Sequence, residues 1–234
     1  KDLNGWAPAG PSLKTAFVHI TSLLNLRIDV NFVQTADAYQ ANTIAVSTNA
    51  QTDSSGYARY PDGNRVYDYF NSSDIFMDES NADPSITGLN YDLEVLVHEL
   101  GHALGLKHPF SHENANGIAG QGPYLTSSLE ENNRWTAMSY EDSSSYYSAS
   151  FRPLDLAALQ YMYGVSVSAN AGNTTFTFSN SEGAFIYDGQ GIDEIDATSA
   201  TAAATIYLTQ GDWSYMGVKS DLITARNQMT INFN

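Results

Sequence analysis

The 234 residues carry 26 Asp plus Glu against 10 Lys plus Arg, a formal charge of -16, which argues against nucleic acid as a partner because a polyanion is repelled before any groove is read. There is no cysteine, so disulfide scaffolds, thiolate metal sites and cysteine nucleophiles are excluded, and any metal has to be held by His, carboxylate or carbonyl groups. A hydrophobic share of 42% supports a packed core, while no apolar run approaches the ~20 residues of a membrane helix, so a soluble chain of one large or two unequal domains is expected.

Pro11 and Ser12 open a helical pattern over 13–26, in which Leu13, Phe17, Ile20, Leu23 and Leu24 fall on one stripe. Ile28, Val30 and Phe32 then alternate with Asp29 and Asn31, the period of a half-buried strand, and 43–48 is a second β-rich run. Short strands are expected at 57–60 and 74–78, with a turn at Pro61-Asp62-Gly63 between them. The clearest helix covers 92–106, with Leu93, Leu96, Val97, Leu100, Ala103 and Leu104 along one face, Asn90 or Asp92 as its cap, and Gly105 and Pro109 ending it. Residues 111–133 read as irregular, and 154–163 as a third helix closed by Gly164. Beyond Gly164 the chain becomes richer in Ser, Thr, Ala and Asn, with short alternating runs at 175–178, 204–208 and 229–233, which marks a small β-rich part from about residue 165. Within it, 188–196 reads as one degenerate G-G-x-G-x-D-x-U-x nonapeptide, and one copy cannot build a β-roll.

Residues 98–108 read HELGHALGLKH. On a helix, positions four apart lie ~6 Å from each other on one face, so His98 and His102 can aim at a single ion. Glu99 sits beside the first ligand, placed to take a proton from a metal-activated water without being a ligand. A third ligand six residues beyond His102 requires the chain to turn, and Gly105 tolerates the positive φ that brings His108 back. With this composition, H-E-x-x-H arises by accident in ~4 of 1,000 shuffles, and adding Gly105 and His108 lowers that to ~6 per million. A zinc ion on three neutral His, with a position left for water, is therefore expected.

The pattern resembles the metzincin metalloproteases, and GLKHP at 105–109 with AMSY at 137–140 resembles the serralysin family among them. The resemblance extends to LDLAALQYMYG at 154–164, similar to the helix after the Met-turn, and to DGQGID at 188–193, similar to the first calcium-binding stretch. Astacins usually need disulfides and matrixins lack the Tyr after Met, so the absence of cysteine and Tyr140 favour a serralysin-like chain. The resemblance implies Met138 in a turn beneath the zinc and Tyr140 as a phenol that coordinates the resting metal or steadies an oxyanion. On the residues alone, Tyr140 is equally a packing group. It further implies Ca²⁺ held by the side chains of Asp188 and Asp193 and the carbonyls of Gln190 and Gly191; the alternative for the same stretch is an ordinary acidic β-turn. Serralysins continue into tandem repeats and a C-terminal export signal, which this chain does not show, so either a cut-away roll or a short member is expected.

The expected architecture is α+β: a metzincin domain over 1–164, with a twisted, mostly parallel sheet of five strands and the zinc helix, followed by a small β-rich, calcium-binding part over 165–234. The expected function is a secreted bacterial zinc endopeptidase acting on extended proteins or peptides. It is expected to be a monomer with no membrane span, with a proteinaceous inhibitor as a candidate partner. The rival is a calcium-dependent binding module with a structural zinc, which leaves Glu99 without a task. No classical export signal is expected in residues 1–10. His19 reads as a helix residue and His112 as a loop residue. Glu113, Glu130, Glu131, Glu141 and Asp142 read as a solvated acidic rim or as a preference for basic substrates. Tyr57, Tyr60, Tyr67 and Tyr69 read as groove or core.

Overall fold

Helix α1, Pro11–Asn25, begins on a proline whose fixed φ suits the first helical position, and it buries Leu13, Ala16, Ile20 and Leu24. In this computed structural model, residues 4–37, 42–61, 73–110, 123–141, 146–179 and 183–233 are described. The turn expected around Asp62 and Gly63, and Tyr67, Tyr69, His112, Glu113 and Asp142, lie outside them.

Four strands make the first sheet: β1 (Ala7–Pro8), β2 (Val46–Asn49), β3 (Gly56–Ala58) and β4 (Ile75–Asp78), in the order β1-β2-β4-β3. β2 and β4 are parallel, with Val46 opposite Ile75, while β1 and β3 are antiparallel to their neighbours. A mostly parallel, five-stranded sheet was the expectation; among the described residues there are four strands and one parallel pair out of three. Ile28, Val30 and Phe32 do not form a strand. Ile28 is buried and makes one antiparallel bridge, to Val165, with no ladder following it. Alternating polarity reports which side chains are covered, and a covered extended segment needs no hydrogen-bonded neighbour.

Helix α2, Tyr91–Ala103, packs on β3 and β4 and is buried at every residue from Leu93 to Ala103. Asn90 caps it: Oδ1 accepts from the Leu93 amide at 3.2 Å and from the Ser85 amide at 2.8 Å. Asp92 instead accepts from the Asp83 amide and the Asn81 side chain. With Asp92 and Glu94 in its first turn, α2 also carries negative charge where the helix dipole favours it.

Helix α3, Pro153–Tyr163, ends at Gly164, whose φ of 84° closes the last turn. Beyond it, β6 (Ala184–Asp188), β10 (Gln228–Phe233), β9 (Trp213–Met216) and β8 (Ala204–Thr205) form a second four-stranded sheet in that order. β5 (Thr175–Thr177) pairs in parallel with β7 (Glu194–Asp196). Phe178, Ile186, Met216 and Met229 make the core of this part. By contacts, the chain divides into a unit of Lys1–Leu23 with Phe32–Asp155 and a unit of Leu24–Asn31 with Leu156–Asn234.

Because Asn90 satisfies two amide donors at the start of the most buried helix, Asn90→Ala is expected to cost about 1–2 kcal/mol in urea unfolding, and a loss below about 0.3 kcal/mol would show that the cap carries no stability.

Candidate active site

His98 and His102 lie one turn apart on α2, and the helix then ends in a Schellman turn. Gly105, at φ 98°, donates from its amide to the His102 carbonyl at 2.9 Å, and the Leu106 amide reaches the Gly101 carbonyl at 2.9 Å. The reversal returns His108 to the helix face, with its Nε2 at 3.0 Å from the Nε2 of both His98 and His102. The three ligand atoms form one group within 4.8 Å. Phe110 stacks on the His108 ring at 5.1 Å, a supporting wall that carries no sequence mark beyond its place after Pro109.

Protonation decides what these close approaches mean. His98 Nδ1 lies 2.7 Å from the Ala137 carbonyl and His102 Nδ1 lies 2.8 Å from the Leu106 carbonyl. A carbonyl only accepts, so each Nδ1 carries the proton and each Nε2 presents a lone pair. These two lone pairs both face His108 Nε2 at 3.0 Å, and with the His108 proton on Nδ1 the three nitrogens offer a cation one common point. The spacing is close to the ~3.3 Å edge of a tetrahedron with Zn–N bonds of ~2.0–2.1 Å. The donor set therefore fits zinc.

Glu99 is buried beside this group. Its Oε2 has no hydrogen-bond partner among the described residues, and burial pushes its carboxyl up to about 8 against the pull of the Ala58 amide. A methyl at Gly56 on β3 would press on Glu99 Cγ and on Val95, so only glycine lets the strand lie this close.

Met138 lies under α2, and a methyl at Gly101 would land on its sulfur, which explains a glycine in the middle of a helix. The Ala137 peptide that holds His98 is itself held by Asp155. The Asp155 carboxylate accepts from the Ala137 amide at 2.7 Å, the Thr136 hydroxyl at 2.7 Å and the Arg152 amide at 2.9 Å. Burial raises the Asp155 pKa, and these three donors oppose the rise. Tyr140, two residues on, is exposed, with its ring 4.6 Å from His108 and 5.6 Å from His98. Tyr60 meets the His102 ring at 5.2 Å, whereas Tyr57 stacks on Phe76 in the sheet.

A cavity of about 390 Å³ opens beside His98 and Glu99 and runs along α2 past Glu94 to Tyr91, walled by β3 and by the chain around Tyr140. Glu94 pairs with Arg152 through Oε2, and Arg152 also donates to the carbonyls of Asn133, Ser150 and Tyr146. Burial raises the Glu94 pKa, opposed by Arg152 and by the Ser148 amide. Sequence reasoning missed Glu94, Arg152 and Asp155. Glu94 stands four residues before His98, the one pattern that puts it on the same face. Of the expected acidic rim, Glu141 is exposed but Glu130 is buried. His19 sits on α1, outside the metal-ligand group.

In the β-rich part, Asp188 ends β6, buried, with Oδ2 lacking a partner among the described residues. Burial and the charge of Asp193 raise its pKa, against a bond from the Gln190 amide. Asp193 Oδ1 accepts from the Thr174 amide at 2.9 Å, and the Gln190 carbonyl accepts from the Gly172 amide at 2.9 Å. Gly191 has φ 148°, and a methyl there would strike the Gly172 carbonyl.

Three imidazoles gathered around one point, with a buried carboxylate next to them in a cleft, form a donor set that fits a zinc ion. A family model described as "Dual-action HEIGH metallo-peptidase" matches residues 12–163, and the chain belongs to that family. The five letters of that description stand here as HELGH, with Leu100 fully buried in the place of Ile. The chain is 27% identical over 224 residues to a serralysin of Photorhabdus laumondii subsp. laumondii, covering 85% of this chain and 46% of that protein. It is 28% identical over 207 residues to serralysin B of Dickeya chrysanthemi, covering 77% and 41%. A metalloprotease AprA of Pseudomonas entomophila is 29% identical over 154 residues, covering 55% and 31%. The chain thus spans less than half the length of these curated relatives, and its sequence is similar to theirs.

Since Asp155 reaches His98 only through the Ala137 peptide, Asp155→Asn is expected to weaken zinc binding about ten- to a hundredfold in a chelator competition, and an unchanged affinity would show that the peptide is fixed without it.

Proposed function

We propose that this chain is a secreted zinc endopeptidase of the metzincin type, which hydrolyses peptide bonds in extended proteins or peptides with Glu99 as general base. The observation that carries the reading is Glu99 Oε2, buried and without a partner among the described residues, beside three converging imidazole nitrogens at the mouth of a cleft. His98, His102 and His108 would hold the ion, which supplies a Lewis acid that polarises a carbonyl and acidifies water. Glu99 Oε2 takes the proton from the attacking water and carries it to the departing nitrogen, while the Ala58 amide steadies the carboxylate. The Tyr140 hydroxyl, on an exposed ring beside His98 and His108, donates to the oxyanion. β3 is the last strand of its sheet among the described residues, and an extended substrate lies along that edge through main-chain hydrogen bonds.

For the β-rich part, 165–234, we propose a structural Ca²⁺ held by the carboxylates of Asp188 and Asp193 with the carbonyls of Gln190 and Gly191. The unpartnered, buried Asp188 Oδ2, and the Asp188 pKa raised by burial and by the nearby Asp193 charge, support this. Secretion accords with the absence of cysteine and the acidic, Lys-poor composition.

Glu99→Gln is expected to retain one zinc per chain by atomic absorption and to lose about 10²–10⁴-fold in kcat on a peptide library digest that a chelator abolishes in the parent. Retained turnover would reject the role. Tyr140→Phe is expected to lower kcat with little change in KM; the reverse pattern would make the phenol a binding group. Adding Ca²⁺ is expected to raise the Tm of the parent and not of Asp188→Asn. An equal rise in both would remove Asp188 from the site.

A further inference from the structure

The cavity beside Glu99 has a one-sided charge. Asp53, Glu94 and Glu141 line it together with Glu99, and among the described residues no Lys or Arg side chain does. Asp53 and Glu141 are exposed at its rim, and Glu94 is 8% exposed. Glu94 Oε2 is committed to Arg152, but Oε1 has no hydrogen-bond partner among the described residues. Arg152 stands outside the lining, with its guanidinium turned to three backbone carbonyls as well as to Glu94, so it neutralises one carboxylate without occupying the space.

Distance along the helix decides which guest fits. Glu94 is one turn, ~6 Å, before His98 on the same face. A side chain that enters next to the reacting bond, beside His98 and Glu99, therefore needs a stem of four or five bonds to bring its end to the Glu94 carboxylate. Short side chains stop at the level of Val95. Leu or Phe fills the space but leaves Oε1 unsatisfied, and Glu adds a further negative charge. Lys and Arg have the reach, apolar stems to lie against Val95, and donors at the tip, and an acceptor left unpaired in a buried place gains most from a charged donor.

Resting on the proposed peptidase reading, we infer that this cavity is a specificity pocket for a lysine or arginine side chain adjacent to the scissile bond, with Glu94 as its determinant and Asp53 and Glu141 attracting the cation at the rim. A long cationic side chain satisfies the buried Oε1 and offsets the desolvation of Glu94.

The test uses peptides of one sequence with Lys, Arg, Leu or Glu placed in turn on either side of the cleaved bond, and the intact, zinc-loaded chain. On one of the two sides, kcat/KM is expected to be at least tenfold higher for Lys and Arg than for Leu, with Glu lowest. In Glu94→Gln the Lys-over-Leu ratio is expected to shrink at least fivefold. If that variant misfolds through loss of its Arg152 pairing, Asp53→Asn with Glu141→Gln on the exposed rim is expected to shrink the ratio at least twofold. Leu cleaved as well as Lys on both sides, or a ratio unmoved by the folded variants, overturns the pocket while leaving a chelator-sensitive peptidase standing. If no peptide is cleaved, the peptidase reading fails by itself. Calorimetric binding of the same peptides to the parent then decides the pocket, and equal affinity for the Lys and Leu peptides overturns it.

Discussion

Two hydrogen bonds from imidazole to main chain set the character of this molecule. His98 gives its Nδ1 proton to Ala137 and His102 gives its own to Leu106, and each is thereby obliged to turn a bare lone pair inward. Without these bonds the rings could share protons among themselves and form an ordinary buried polar cluster. With them, two of the three rings are set to offer bare nitrogens to a cation. The rest of the unit around α2 can be read as the means of holding those two carbonyls still. Leu106 is fixed by a helix ending that its own residues dictate, and Ala137 is fixed by a carboxylate contributed from the start of α3.

That arrangement demands a helix that is buried and polar at once. Leu93, Leu96, Val97 and Leu100 anchor α2 so firmly that its polar residues are carried into the interior, and each polar residue there is answered by a specific group. Arg152 answers Glu94, the Ala58 amide answers Glu99, and carbonyls answer the two histidines. Two glycines, Gly101 above Met138 and Gly56 against Glu99, remove side chains where the backbone has to approach closely. Glycine inside a helix costs ~1 kcal/mol relative to alanine, and here the cost is offset by the contact it permits.

The legible part of this protein is the part whose causes are local. The stripe of α2, the Gly105 reversal and the return of His108 all follow from spacing within eighteen residues, and they form as the letters indicate. A cap at Asn90 or Asp92, and α1 and α3, were legible for the same reason, and the structure settles the cap on Asn90. The first sheet was not, because β1 is two residues long and the pairing of β2 with β4 joins segments about thirty residues apart. The alternation at 28–32 misled because it encodes burial and not partnership. Asp155 and Arg152 were invisible for a third reason: their roles exist only through what the fold puts next to them, the Ala137 peptide in one case and Glu94 in the other. Asp188 stands between these cases, since its motif is local but its unpartnered oxygen appears only once β6 is buried.

On the proposed reading, the net charge of -16 bears on the metal and the substrate alike. A field of one sign draws in divalent cations and basic peptides alike, but it does so over a range limited by salt, ~8 Å at physiological ionic strength. Charges on the open surface, Glu141 among them, therefore govern how quickly a cation arrives. Charges inside α2 behave differently, because water and salt are excluded around them and their interactions keep more of their strength. Glu94 and Glu99 belong to this second class, and each has one oxygen unpartnered among the described residues. On the proposed reading, the free energy for selecting a guest lies at Glu94, on the buried face of one helix and one turn from the imidazoles, while the acidic exterior sets the rate of encounter.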